Sequence, residues 1–188
     1  MSLLARARAR ETAAWSEMVR LYTPLVAHWC RRCGLDSHDS ADCIQEVFTA
    51  VASSLQNYEP RRTNGAFRAW LWTITRNKVR DIFRRRSHQP QAVGGSTAGQ
   101  SLAELPDESA VPDDEPSDAA QLSELVQRGL EQVRGEFESR SWQSFWRTAI
   151  DGIPTSIVAE QLGLTAAAVR QNRSRVMRRL RQQLGDVA

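Results

Sequence analysis

Seven side chains suited to bonding nucleic acid crowd into positions 170–179: Arg170, Gln171, Arg173, Ser174, Arg175, Arg178 and Arg179. A guanidinium presents a rigid fork of donors that fits a guanine edge or a phosphate, while glutamine and serine reach other base edges. Val169, Val176, Leu180 and Leu184 interleave with them at helical spacing, so a helix over 166–184 turns its apolar residues one way and the basic set the other. Just upstream, 154–162 (PTSIVAEQL) predicts a short helix that buries Ile157, Val158, Ala159 and Leu162. Gly163 and Leu164 predict a tight turn, and Thr165 is a natural N-cap for the basic helix. Helix, tight turn and basic helix in that order are the signature of a helix-turn-helix, whose second helix enters the major groove. A merely solvated basic helix would carry the arginines without that turn.

A second basic run, Arg76, Asn77, Lys78, Arg80, Arg84, Arg85 and Arg86, shares a predicted helix over 66–86 with the inward residues Phe67, Trp70, Leu71, Ile74, Ile82 and Phe83. Trp72 fits either side. The preceding stretch 57–65 is rich in Pro, Asn and Gly and reads as a loop. Two further helices come first. One covers about 14–33, with Trp15, Met18, Val19, Tyr22, Leu25, Val26, Trp29 and Cys33 recurring at three and four and Gly34 as its stop. The other covers about 39–55, with Ile44, Val47, Phe48, Val51 and Leu55 on one stripe. Its acids Asp39, Asp42 and Glu46 lie near the start, where the helix dipole favours negative charge. No G-x-x-x-x-G-K, no cleft-like acid pair and no nucleophile–base spacing is visible, so the expectation is a non-enzyme with no catalytic residue and no cofactor. His28, Cys30, Cys33 and His38 raise a zinc site, but a second CxxC or an HxxxH pair is missing. The three cysteines are read as reduced residues of core or boundary, and no metal is assigned.

Around these elements the charge is unevenly spread. Residues 1–86 hold 15 Lys+Arg against 8 Asp+Glu, residues 87–121 hold seven acids and no base, and residues 122–188 hold 10 against 7. Two basic bodies joined by an acidic strap suit a polyanion binder whose connector must avoid or imitate the polyanion. The connector is rich in Pro and Gly and has no helical period, so it is expected to stay unpacked. Helical pattern returns at Gln121 and again around Trp142, Phe145, Trp146 and Ile150. No strand-period segment of useful length appears, and the expected class is all-α: two small helical domains, 1–88 and 121–188, around a flexible acidic linker, 89–120. No apolar run approaches the roughly 18 residues a spanning helix needs, and no secretory signal is visible, so a cytoplasmic protein without membrane insertion is expected.

In this order the segments resemble the sigma-70 superfamily, specifically the extracytoplasmic function (ECF) group that keeps only its second and fourth regions. The resemblance rests on 39–48 (DSADCIQEVF), on 67–77 (FRAWLWTITRN) and on 157–181, and it covers nearly the whole chain. It implies a sigma factor that binds core RNA polymerase and starts transcription at defined promoters. Asp39, Asp42, Gln45, Glu46 and Phe48 would then meet the clamp helices of the largest polymerase subunit. Asn64, Gly65 and Ala66 would pocket an extruded nontemplate base of the minus-10 element, Asn77 would contact a base edge, and Arg76, Lys78, Arg80 and Arg84 would take phosphates. On double-stranded minus-35 DNA, with Thr165 at the helix start, Arg170, Gln171, Ser174 and Arg175 would read bases. Arg173, Arg178, Arg179 and Arg181 would hold phosphates or the polymerase flap.

Two departures matter. Position 41 is Ala where the family commonly has an acid, and phosphorylation of Ser40 or Thr49 by a Ser/Thr kinase would restore the charge. An anti-sigma factor is the other expected source of control. Asn172 and Arg173 replace a common Arg-Leu pair, so promoter preference does not transfer from the family. Two readings of the linker stand: a solvated tether, or an RNA-like occupant of the polymerase cleft. The competing function is a sigma-like or helix-turn-helix regulator or adaptor that does not itself initiate transcription.

Overall fold

A computed structural model describes residues 1–59, 66–88 and 111–185, and among them every regular element is helical. These are α1 (Leu3–Arg8), α2 (Thr12–Arg32), α3 (Ser37–Ser54) with a 3-10 turn at Leu55–Asn57, α4 (Ala66–His88), α5 (Ala119–Arg134), α6 (Ser139–Ala149), α7 (Thr155–Leu162) and α8 (Ala166–Leu184). The described residues divide into two units, 19–59 with 66–88 and 111–122, and 1–18 with 123–185.

In the first unit α2, α3 and α4 share one core. Leu21, Tyr22, Leu25, Val26 and Trp29 of α2, Val47 and Val51 of α3 and Phe67, Leu71 and Val79 of α4 are all at most 1% exposed. Tyr22 and Phe67 pack edge to face at 5.1 Å, as do Trp29 and Trp72 at 5.5 Å. Trp72, which the sequence leaves open, is buried, whereas Trp70, expected inward, is half-buried against Tyr58. The buried stripe drifts through Phe67, Leu71, Thr75, Val79 and Ile82, which leaves Trp70 at its margin. Helix α3 starts two residues before the predicted Asp39, because the Asp36 carboxylate accepts the Asp39 amide at 2.9 Å.

The expected linker needs a correction over its last residues. Its part at 89–110 lies outside the described residues, but Val111 is buried and 113–117 hydrogen-bonds to α2 and α4. Basic and indole donors on those helices satisfy the acids and carbonyls there, so low hydrophobicity does not leave the segment without partners. Helix α5 then begins at Ala119, with the Asp118 carboxylate accepting the Gln121 amide at 3.0 Å.

In the second unit α6 and α7 pack on α8, and α1 touches α8 as well. Gly163 closes α7 in the left-handed region (φ 62°), the Leu164 amide reaches back to the Ala159 carbonyl at 2.9 Å, and the Thr165 hydroxyl accepts the Ala168 amide at 3.1 Å. Val158, Ala159 and Val169 form the small core of this turn, flanked by Ile153, Leu162 and Leu164. Ile157, expected inside, is 43% exposed because Val158 holds the inward position. Leu3, Leu4 and Ala7 of α1 are buried, and Leu4 crowds Gly185 beyond α8. Residues 1–18 therefore belong with 123–185 and not, as the sequence boundary at 88 had it, with the rest of the N-terminal half.

Candidate nucleic-acid interface

The outer side of α8 is the exposed basic face that its spacing implies. Arg170, Gln171, Arg173, Ser174, Arg175 and Arg178 are all exposed, as is Thr165 at the cap. Gln171, Arg175 and Arg178 succeed one another at four and three, so they stack along one stripe next to Arg170 and Ser174. Arg179 departs from the set. Its guanidinium grips Glu136 through two bonds of 2.7 and 2.6 Å and donates to Gln183 at 2.8 Å, with the side chain 19% exposed. Gln183 is buried and in turn donates to Gln132 at 2.7 Å, so Arg179 completes an internal polar network instead of facing outward with its neighbours. Asn172, one of the departures from the family pattern, also points inward: its amide donates to Ser144 at 3.3 Å and its carbonyl accepts from Ser141 at 3.4 Å.

On α4 the predicted residues divide. Asn64 and Gly65 lie outside the described residues, and Ala66 opens the helix. Asn77 is exposed, and Arg84 is exposed beside Asp81 at 3.4 Å. Lys78 meets Glu46 at 3.4 Å. Arg76 and Arg80 both reach the Asp113 carboxylate, at 3.0 and 3.2 Å. Arg68 bonds Glu115 at 2.6 Å and the Trp72 indole donates to the Asp113 carbonyl at 3.0 Å. Sequence reasoning missed these last partnerships. The opposite charges of the two segments were visible, but nothing periodic in 111–117 told which acid meets which arginine.

The acidic side of α3 is partly spent within the unit. Asp42 is exposed with His38 at 3.5 Å, and Gln45 is exposed. Asp39 pairs with Arg86, and Glu46 accepts from Arg85 at 2.9 Å. Burial pushes the Glu46 carboxyl up, yet the bond and charge of Arg85, helped by Lys78, outweigh it and hold the group below the usual carboxylate range. Asp42, Gln45, Glu46, Thr49 and Ser53 line an open groove with Lys78. Phe48, expected among the polymerase contacts, is instead 7% exposed and part of the core, since it continues the Val47–Val51 stripe. Ser40 is likewise buried, so the modification expected there has no access; Thr49 is exposed, its hydroxyl donating to the Gln45 carbonyl at 2.8 Å. All three cysteines are buried. Burial, with Cys43 nearby, pushes the Cys33 thiol up to about 11, and a hydrogen bond with Cys30 together with burial raises Cys43. Such thiols stay protonated at neutral pH.

A helix-turn-helix whose second helix is lined with arginine, in one unit, and a three-helix body bearing a basic and an acidic helix, in the other, define an all-α helix-turn-helix protein. Residues 18–89 match the Sigma-70 region 2 family. The ECF RNA polymerase sigma factor ShbA of Streptomyces griseus is 30% identical over 190 residues, spanning 96% of this chain and 92% of that protein. The RNA polymerase sigma factor CnrH of Cupriavidus metallidurans is 29% identical over 168 residues, spanning 89% and 84%. The structure of CnrH in complex with the cytosolic domain of CnrY shares 26% identity across 95% of this chain and 92% of that one, with a TM-score of 0.39. The chain belongs to the ECF family of RNA polymerase sigma factors. Among the described residues no helix is long and apolar enough to cross a membrane.

Proposed function

We infer that the chain binds core RNA polymerase and carries it to promoters that it recognises at two separate elements, acting as an initiation factor and not as an enzyme. Residues 121–188 read the double-stranded minus-35 element, and 1–88 serve polymerase binding and minus-10 melting, with the α1 segment contributing its packing to the helix-turn-helix unit. The observation that carries this reading is the row of exposed arginines on α8 directly behind a capped, glycine-closed turn. Arg170, Gln171, Ser174 and Arg175 take base edges there, and Arg173, Arg178 and Arg181 take phosphates. Arg179 supports the helix from inside.

At the minus-10 element a strand must be opened without ATP, and each base captured or stacked supplies about 1–3 kcal/mol. Asn64, Gly65 and Ala66 form the capture site in this reading, Asn77 meets a base edge, and Arg76, Lys78, Arg80 and Arg84 hold phosphates. The polymerase clamp meets Asp42 and Gln45, with Asp39 and Glu46 reached by exchange of their present partners. Control by an anti-sigma factor, or by a Ser/Thr kinase acting on Thr49, belongs to the same reading. The purified chain mixed with core RNA polymerase should co-elute with it and yield run-off transcripts with defined start sites. Co-elution without any defined transcript would favour the adaptor reading, and absence of both would end the proposal.

A further inference from the structure

Arg68, Trp72, Arg76 and Arg80 follow one another at intervals of four and so form one stripe along α4. The end of the acidic segment lies on that stripe and runs opposite to the helix. Arg80 donates to the Val111 carbonyl at 3.4 Å and to the Asp113 carboxylate at 3.2 Å. Arg76 donates to the carbonyl and carboxylate of Asp113 at 3.1 and 3.0 Å, and the Trp72 indole donates to that carbonyl at 3.0 Å. At the far end Arg68 bonds Glu115 at 2.6 Å. Ser117 donates to Glu115 at 2.5 Å and accepts from the Trp29 indole at 2.8 Å.

Carboxylate and carbonyl oxygens spaced along a chain segment, set against arginines and an indole, resemble the row of acceptors that a nucleic-acid backbone offers. The fit is firm at one end and loose at the other. Glu115 is 13% exposed with its partner, whereas the Asp113 carboxylate is 84% exposed. The Nε donors of Arg76 and Arg80 are buried and have no acceptor among the described residues, so 111–117 covers these arginines without satisfying them. A phosphate with its several oxygens satisfies more of that donor set than one carboxylate does.

We propose that 111–117 is an internal stand-in for nucleic acid on the α4 stripe, which the phosphates of a single strand displace. The inference rests on the reading of α4 as the minus-10 surface and adds its regulation: a free chain shielded from unspecific nucleic acid until a strand is presented in register. The pairing at Asp113 is the weaker hold, since solvent screens that exposed carboxylate.

The test uses the full chain and a labelled mixed-sequence single strand of about 20 nucleotides at ~50 mM salt, read by fluorescence anisotropy. Asp113→Asn/Glu115→Gln should tighten binding by about fivefold or more, and adding Arg76→Ala/Arg80→Ala should cancel the gain. Asp114→Asn/Glu124→Gln, which changes net charge equally without touching a carboxylate bonded to α4, should leave affinity within about twofold. If the first pair gives no gain, or no more than the charge-matched control, while the arginine pair still weakens binding, the stand-in is overturned and the minus-10 reading survives. If the arginine pair has no effect even with the acids neutralised, the α4 reading itself fails, and the inference with it. A second readout needs no variant of the strap: in the wild-type chain the Trp72 indole proton resonance, assigned through Trp72→Phe, should move as the strand is added, and a resonance that stays fixed at saturation excludes displacement.

Discussion

Arginines on one helix have different work to do, and the contacts of each predict how its loss will read. Arg175 is exposed on the outer stripe of α8. Arg175→Ala should cost about 1–3 kcal/mol at one base position, seen as relaxed preference there when promoter variants compete. Arg178→Ala should weaken binding evenly across sequences and flatten the salt dependence by about one unit of slope, as expected of a phosphate contact. Arg179→Ala leaves the buried Gln183 carbonyl without its donor, so it should destabilise the fold by about 1–3 kcal/mol in thermal or urea unfolding. Arg178→Ala should leave stability nearly unchanged. Glu46 gives a pH test. Its folded-state pKa is lowered from 4.5, so its contribution is complete above that value and is lost as pH falls through the lowered one. The stability difference between wild type and Glu46→Gln should therefore be constant near neutrality and shrink in acid below about 4.5; a difference that grows in acid would contradict the pairing with Arg85. From residue types alone Arg175 and Arg179 are indistinguishable, because both sit on the polar side of a helical wheel. Only the approach of Glu136, just beyond α5, and of Gln183, itself bonded to Gln132 of α5, separates them.

Helices were the most legible elements, since a period of three to four in apolar residues survives whatever the helix packs against. The helix-turn-helix could be read nearly residue by residue: the left-handed Gly163 and the Thr165 cap are local devices with local signatures. Gly163→Ala should cost about 1–2 kcal/mol by circular dichroism melting, wholly through backbone strain, because a methyl group there meets no neighbour within 4 Å. Helical spacing is ambiguous where two residues compete for one inward position. Ile157 yields to Val158 and Trp70 to Trp72, and the choice depends on where the partner helix lies, which the wheel of a single helix does not contain. The burial of Ser40 follows from the same cause, since α3 packs against α4, whereas that of Phe48 agrees with its place on the apolar stripe of α3; the resemblance to a family motif says which residues recur without saying which face outward.

At the scale of the molecule, segments distant in sequence complete each unit. Leu4 is 6% exposed and lies against Gly185, so Leu4→Ala should destabilise the helix-turn-helix unit by about 2–5 kcal/mol, measured as earlier loss of amide-exchange protection in α8 than in α4. Equal loss in both would mean that α1 supports the chain generally. Six residues of alternating Arg and Ala are too few for a helical period to show in the sequence, so α1 is visible only in the structure. The all-α class, the order of its helices, the basic face of α8 and the acidic character of the connector can be read from residue order, for these depend on composition and on spacing along one element. Tertiary structure alone decided that 111–117 lies along the arginine stripe of α4, that Arg179 turns to Glu136 and Gln183, and that α1 packs on α8. Each of those is a pairing between segments far apart in the chain, and its energy comes from complementary groups meeting in space, which no local pattern of residues records.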